Sequence, residues 1–187
     1  MAKTVLYTGT GATFRILGSA ATPHVLFTIE NTTGSSRVVG IRRLIVQLDA
    51  TAVLITAMPL VKTYRCSAIP SGGTTITKGT FDSSQSTESG AHVTLRGAGS
   101  SDGGVATAIT ASTSGGTIWE QYAMRMHTVV GQVLAPDNPL VPALCDTTSF
   151  VIRANEALMV QVEASAGAAN PATNHWFVQC CWEEYTE

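Results

Sequence analysis

Three consecutive stretches decide the fold class: HVLFTIE at His24–Glu30, NTTGSS at Asn31–Ser36, and VVGIRRLIVQLD at Val38–Asp49. The first and third are rich in β-branched and aromatic residues and flank a cluster of turn residues, which is typical of two strands joined by a loop. Strict alternation puts Ile41, Arg43, Ile45 and Gln47 on one face of the longer strand and Arg42, Leu44, Val46 and Leu48 on the other. Because apolar residues fall on both faces, this pattern predicts a central strand that is covered over part of both sides.

The same composition predicts further strands on both sides of this pair. The predicted strands lie at Thr4–Thr8, Thr13–Leu17, Leu60–Ser67, Thr74–Thr77, His92–Arg96, Val105–Ala111, Phe150–Arg153, Ala157–Ala164 and Trp176–Trp182. We expect Gly9–Gly11 to end the first strand, and Ala154–Glu156 to form a turn. Two segments, Ala50–Met58 and Thr117–Val130, fit either a strand or a short helix.

Many short strands with Gly- and Pro-rich turns predict an all-β protein, an antiparallel β-sandwich of jelly-roll type with long Gly/Ser/Thr-rich loops. We expect residues 1–187 to form a single β-sandwich domain. Within it, residues 70–116 are thick with Gly, Ser and Thr and are predicted to be a loop-rich insertion or a subsidiary sheet.

The chain is unusually poor in charge. Only 13% of its 187 residues are charged and 44% are hydrophobic, against a usual charged share of roughly 25%. The net charge of −2 offers no basic stripe for direct nucleic-acid binding and no patch for anionic lipid. No clean apolar membrane span or secretory leader is apparent, so we expect a protein made in a cytoplasm. A surface with so few charges favours a subunit that is covered by neighbours.

The candidate chemical motifs each fail on spacing. Gly9-Thr10-Gly11 after a strand, with Glu30 further on, suggests a dinucleotide site, but the third glycine and the crossover helix are missing. The scattered histidines and loop aspartates match no metal pattern. These residues are His24, His92, His127, His175, Asp82, Asp102 and Asp137. We predict no enzyme activity, and no catalytic, cofactor-binding or metal-binding residues.

Cysteines and aromatic residues are predicted to pack rather than to react. Cys66, Cys145, Cys180 and Cys181 show no paired spacing and are interpreted as small buried hydrophobes, the last two pointing to opposite faces of a strand. The aromatic set is assigned to core or interface packing, with a sugar-stacking platform as the alternative. It comprises Trp119, Trp176, Trp182, Tyr64, Tyr122 and Tyr185. Asn31-Thr32-Thr33 fits a glycosylation sequon but is interpreted as a turn.

The final third carries a resemblance. Asn138–Val141, then Phe150–Leu158 (FVIRANEAL), then Trp182-Glu183-Glu184 resemble the end of small tailed-bacteriophage virion proteins, and Lys78–Ser84 resembles their segment after a Gly-rich turn. The resemblance implies a non-enzymatic virion structural protein, with a capsid decoration (cement) protein as the preferred role. It implies a jelly-roll subunit on the capsid surface that bridges copies of the major capsid protein.

The partners expected from this role are the major capsid protein and the chain itself, most plausibly as a trimer, because a low-charge surface needs cover. Met1–Thr8 and residues 70–116 are the segments from which we expect contacts between subunits. Two alternatives remain open: a carbohydrate-binding or tail-fibre tip module, and a tail tube or connector component.

Overall fold

The computed structural model describes residues 5–16, 24–51, 59–80, 92–97, 109–110, 117–123, 150–164 and 174–186, and every regular element among them is a strand. The strands are β1 Val5–Ile16, β2 His24–Asn31, β3 Val38–Thr51, β4 Pro59–Cys66, β5 Ser71–Gly72, β6 Thr74–Thr75, β7 Lys78–Thr80, β8 Val93–Gly97, β9 Ile109–Thr110, β10 Thr117–Ala123, β11 Phe150–Ile152, β12 Ala157–Ala164 and β13 Asn174–Tyr185. The predicted all-β class is confirmed for these residues, and Thr117–Ala123 is a strand rather than a helix.

The strands form two large antiparallel sheets and one small one. Sheet A has five strands in the order β11-β3-β13-β1-β7, and sheet B has six in the order β10-β4-β12-β2-β8-β6. The small sheet pairs β5 with β9. Most successive strands alternate between the large sheets: β1, β3, β11 and β13 belong to sheet A, whereas β2, β4, β10 and β12 belong to sheet B.

Both large sheets contribute to one apolar core. Its members on sheet A are Val39, Ile41, Leu44, Val46, Phe150, Ile152, Val178, Cys180 and Trp182, and those on sheet B are Leu26, Phe27, Ile29, Val61, Val93, Leu95, Leu158 and Val160. The fully buried Trp182 indole is the largest of these side chains. Burying such side chains is the main favourable term in folding, so this shared core holds the two sheets together.

β3 corrects the strict alternation that the sequence suggested. Its partner β13 pairs Cys181 with Arg43 and Trp182 with Ile41, so Arg42 is the extra residue of a bulge. Beyond the bulge, the alternation of core-facing and outward-facing side chains is displaced by one residue. Ile41 and Leu44 are therefore both buried in the core while Arg42 and Arg43 are both exposed. The prediction that β3 is central is confirmed, since it lies between β11 and β13.

β1 corrects a second expectation. Gly9–Gly11 does not end a strand, because β1 runs from Val5 to Ile16 with a register irregularity between Gly11 and Phe14. Val5–Thr8 also lies inside sheet A, with β13 on one side and, at Tyr7 and Thr8, β7 on the other. The main chain of Val5–Thr8 is therefore used within the subunit, whereas the contacts with neighbours expected of Met1–Thr8 stay a prediction, and Met1–Thr4 lies outside the described residues.

The 70–116 region adds strands to both large sheets and builds the small one. β7 extends sheet A, β6 and β8 extend sheet B, and the β5–β9 pair contributes Ile109 to a second cluster. That cluster contains Val25, Cys66, Ala157, Met159 and the partly buried Tyr64, on the face of sheet B opposite the shared core. The region is thus a covering layer on sheet B as well as an extension of both sheets.

Gly73 allows the chain to pass close to Ile109 of the covering layer and to Gly97 of β8. Its φ is +75°, and an added Cβ would lie 2.6 Å from the Ile109 side chain and 3.0 Å from the Gly97 carbonyl oxygen. Only glycine combines that backbone conformation with that clearance.

Candidate functional site

Among the described residues, those singled out in the sequence form no common cluster of potential metal ligands. Glu30 is buried in β2, with one carboxylate oxygen accepting from Thr28 Oγ1 at 2.8 Å and the other from Arg96 Nε at 3.1 Å. Arg96 also donates to the Gly72 carbonyl at 3.3 Å. The Glu30 carboxylate is fully used in tying β2 to β8 and to the covering layer, so it does not offer a ribose-binding acid.

Asn31 belongs to the structure of one end of the domain. It is fully buried, and its Nδ2 donates to the carbonyls of Arg37 at 2.8 Å and Ile152 at 3.2 Å, which links sheet B to sheet A. Its Oδ1 has no hydrogen-bond partner among the described residues. A buried amide with both contacts made inside the protein is not presented as a glycan acceptor, which agrees with the interpretation of this sequon as structural.

The cysteines and histidines follow the packing interpretation where they are described. Cys66, Cys180 and Cys181 are buried thiols, and burial raises the pKa of Cys66 to about 11 and that of Cys180 still further. Thiols held protonated in this way are poor nucleophiles. Cys145, His127, Asp82, Asp102 and Asp137 lie outside the described residues. Within the described ranges no group of three potential metal ligands occurs.

The β2–β3 loop is held by hydrogen bonds to His92. Thr32 donates to the His92 carbonyl through its amide at 2.8 Å and through Oγ1 at 3.2 Å. The Ser35 hydroxyl lies 3.3 Å from His92 Nδ1 and accepts from the Arg37 amide at 3.0 Å. These contacts fix the loop against the segment that precedes β8.

The β11–β12 turn is also rigid. The Glu156 amide donates to the Arg153 carbonyl at 3.0 Å, and Asn155 adopts a φ of 65°, the left-handed conformation that asparagine tolerates in turns. The Arg153 amide donates to Glu156 Oε2 at 2.8 Å. The predicted turn at Ala154–Glu156 is therefore confirmed, and it places the Glu156 carboxylate at the end of the domain.

Two basic side chains cross between the sheets, one on each side of the domain. On the first side Arg65 of β4 lies over the Phe150 ring of β11, with its Cζ 4.6 Å from the ring centroid. We call this the β4/β11 seam. Glu156 Oε2 lies 3.9 Å from Arg65 Nη1, and the Arg65 side chain is 40% exposed.

On the opposite side, Lys78 of β7 donates from Nζ to the Val93 carbonyl of β8. We call this the β7/β8 seam. Burial lowers the pKa of Lys78, and the negative charge of Glu184 opposes that effect. Both crossing residues thus hold the edges of the two sheets together, but Lys78 is half-buried and interacts electrostatically with the buried carboxyl of Glu184.

Glu184 was missed by the sequence analysis, in which the last predicted strand ends at Trp182. The strand β13 continues to Tyr185, and Glu184 is only 1% exposed. Its Oε1 accepts from Trp182 Nε1 at 3.3 Å, whereas its Oε2 has no hydrogen-bond partner among the described residues. Burial raises the pKa of the Glu184 carboxyl, and the Trp182 hydrogen bond and the charges of Lys78 and Arg37 partly counter this.

Strand alternation contained the signals for these residues. Glu184 is two residues from Trp182, and Arg65 is four residues from Val61, so each shares the core-facing side of its strand with a core residue. Glu183, on the other face of β13, instead pairs with Arg42 at 2.6 Å. Of the aromatic set, Trp182 is a core residue as predicted, and Trp119 occupies a register shift in β10.

Comparison of the chain with family models, curated proteins and solved structures gave no match. No helix long and apolar enough to cross a membrane occurs in the part of the chain that the structure describes. The described residues thus form one end with two hydrogen-bonded loops, and two sides that are closed by different contacts. Their buried charged side chains take part in packing.

Proposed function

We propose that the chain is a non-enzymatic structural subunit of a bacteriophage particle, a jelly-roll domain that decorates the capsid surface and bridges neighbouring capsid subunits. The observation that carries the proposal is the strand order. Its expected partners are the major capsid protein and other copies of this chain, assembled as a trimer.

The strand order supports a jelly roll. If β1, β2, β3, β4, β10, β11, β12 and β13 are counted as strands one to eight, sheet A reads 1-8-3-6 and sheet B reads 2-7-4-5 from the insertion side. This is the order that results when two interlocked Greek keys fold into a pair of facing sheets. Jelly rolls occur in viral capsid proteins and in lectins, so the fold narrows the function without deciding it.

The sheet edges support contact with neighbours on one side. The edges formed by β6, β7 and β11 have two or three residues each, whereas the β10 edge has seven. Short edges resist pairing with other chains, and a longer one can add a strand from a partner through main-chain hydrogen bonds. We therefore assign the neighbour contacts to the side that carries β10 and β11, which is the side of the β4/β11 seam.

The composition supports the same role. Exposed positions of the described 70–80 segment are filled by hydroxyl and small residues, including Ser71, Thr74, Thr75 and Thr77. Such a surface makes many weak contacts without needing charge, which suits a subunit that holds a shell together. The net charge of −2 gives no support for direct genome contact.

The test is to remove the chain from particles that contain it and then to add the purified chain back. We expect saturable rebinding to the capsid with a fixed number of copies per shell, and a higher melting temperature of the particle after rebinding. Binding to isolated tails, with none to capsids, would instead identify a tail component. Failure to rebind any part of the particle would contradict a virion role.

A carbohydrate-binding or tail-fibre tip module is the second candidate, because lectins use the same fold class. It is favoured by the position of Trp119 at a register shift in β10, because β-bulges are over-represented at sheet edges and next to functional sites. Glycan-array binding that Trp119→Ala abolishes, together with unchanged rebinding to capsids, would select this function over decoration.

A further inference from the structure

We propose that the β5–β9 pair is a hinged flap, which opens and closes over the outer face of sheet B while the two large sheets stay folded. The outer face is the one opposite the shared core, and it carries the second cluster, in which Cys66 is fully buried. Lifting the flap uncovers this apolar face, so the flap controls access to it. The inference does not depend on the proposed virion role, because it concerns contacts inside one chain.

The first observation is how little apolar surface the flap contributes to the cluster that it covers. Only Ile109 is apolar among its four paired residues, which are Ser71, Gly72, Ile109 and Thr110. Both residues of β5 are exposed, whereas Ile109 is buried in the second cluster. A segment held by few buried apolar contacts opens at a lower free energy than the whole domain unfolds. The shared core, by contrast, is built from many large side chains of both sheets.

The second observation is the backbone between the flap and the edge of sheet B. Gly72 ends β5 and Gly73 precedes β6, and their φ angles are +85° and +75°. Because neither residue has a Cβ, their φ and ψ angles can change with little steric resistance, and the flap can turn at this point. The closed position is well defined, since Ile109 packs so tightly on Gly73 that an added Cβ would lie 2.6 Å from its Cγ1.

The third observation is a polar contact that fixes the closed position. Arg96 of β8 donates from Nη1 to the Gly72 carbonyl at 3.3 Å, and from Nε to the buried Glu30 carboxylate at 3.1 Å. The contact with Glu30 lies within sheet B and persists when the flap lifts. Opening therefore breaks an exposed hydrogen bond, which water can replace, and leaves Glu30 paired.

Native-state thiol labelling of the full chain tests the flap. Cys66 and Cys180 are both fully buried, but Cys66 belongs to the second cluster and Cys180 to the shared core. A thiol reagent at limiting concentration modifies each cysteine only while it is transiently exposed, and tandem mass spectrometry assigns the modified residue. We expect labelling of Cys66 to be roughly a hundredfold faster than that of Cys180, because flap opening exposes Cys66 whereas Cys180 requires separation of the large sheets.

Two conservative variants identify which opening exposes Cys66. Ile109→Val weakens the apolar contact of the flap and should speed Cys66 labelling about fivefold. Ile41→Val removes the same group from the shared core, so it should speed Cys180 labelling about fivefold and leave the Cys66 rate unchanged. Cys66 labelling that is no faster than that of Cys180, that speeds up in Ile41→Val, or that is unaffected by Ile109→Val would overturn the proposal, whether or not the chain rebinds capsids.

Discussion

The two sides of the domain are closed by the same device, a basic side chain that crosses between the sheets, but in opposite environments. At the β7/β8 seam, Lys78 is drawn into the protein and coupled to Glu184, a carboxyl that is 1% exposed. At the β4/β11 seam, Arg65 is 40% exposed and lies over an aromatic ring, with a Glu156 carboxylate oxygen 3.9 Å away.

The difference follows from where the chain places its extra strands. β6, β7 and β8 all come from the 70–116 region, and they lie beside β1 and β2 at the β7/β8 side. At this side the chain's own strands cover the sheet edges, and the charged groups beneath them, Lys78 and Glu184, lose solvent exposure. At the other side the chain adds nothing comparable among the described residues, and the crossing residue stays accessible. The seam that is completed within the chain is thus the stability element, and we propose the side of the β4/β11 seam as the surface for neighbours.

The largest expected effect tests how the covering layer is docked. Gly73→Ala should destabilise the domain by about 3 kcal/mol, because it forces a Cβ against Ile109 and Gly97 at a positive φ. Gly34→Ala is the matched control: its φ is +77°, but nothing lies within 4 Å of the added Cβ. Chemical denaturation should give Gly34→Ala a smaller loss of about 1 kcal/mol, from backbone strain alone. Equal losses would show that the close approach at Gly73 contributes nothing.

The next effect concerns Lys78 and Glu184 at the β7/β8 seam. Lys78→Met removes a hydrogen bond to Val93 and the positive charge that favours ionised Glu184, and should cost about 2 kcal/mol at a pH above the raised pKa of Glu184. The loss should fall to about 1 kcal/mol as the pH is lowered through that pKa, because a protonated Glu184 no longer needs a cation. Urea unfolding over this pH range measures it. In a Glu184→Gln background, the loss of stability caused by Lys78→Met should no longer depend on pH. A loss that still changes with pH there would contradict the coupling between Lys78 and Glu184.

Glu184 also gives the wild-type protein a defined pH dependence. Burial raises the pKa of this carboxyl, so between about pH 4.3 and its folded-state pKa the native state holds a proton that the unfolded state has released. The contribution of Glu184 to stability is therefore full below about pH 4.3 and is lost as the pH rises through the folded-state pKa.

Glu184→Gln should flatten this part of the curve of unfolding free energy against pH. Glu183→Gln is the matched control, since the adjacent carboxylate faces the other way and pairs with a half-exposed arginine. The flattening expected for Glu184→Gln should not be reproduced by this variant. Identical slopes for the wild type and Glu184→Gln would show that Glu184 does not cause this pH dependence.

The smallest effect is expected at the β4/β11 seam. Arg65→Met keeps an apolar contact with Phe150 and loses the cation–π interaction and a loose, exposed ion pair, so the free energy of unfolding should fall by about 0.5 kcal/mol. Thermal and urea unfolding both measure this. A loss as large as that of Lys78→Met would mean that the two seams contribute equally and that the contrast between them is wrong.

The sequence predicts the strands better than it predicts their edges and irregularities. Composition and turns indicate β2, β3, β4 and β12 to within two residues of their bounds, because each is a long apolar run between turn residues. The bulge at Arg42 and the continuity of β1 through Gly9–Gly11 depend on pairing with β13, which local composition does not encode.

The same limit applies to the site. Alternation assigns Glu184 to the face of Trp182, but polar residues at a chain end favour an exposed tail on composition alone. Its burial follows from the placement of β13 between β1 and β3, a tertiary property. Arg65 and Phe150 are distant in sequence and meet only because their strands lie in facing sheets.

The most direct test of the account is cryo-electron microscopy of particles that contain the chain. The account predicts a two-sheet domain on the outer face of the capsid, turned so that the side with β10, β11 and Arg65 meets its neighbours while the β7/β8 seam contacts none. Density for the chain in the tail, or on the capsid with the β7/β8 seam as its main contact, would contradict it.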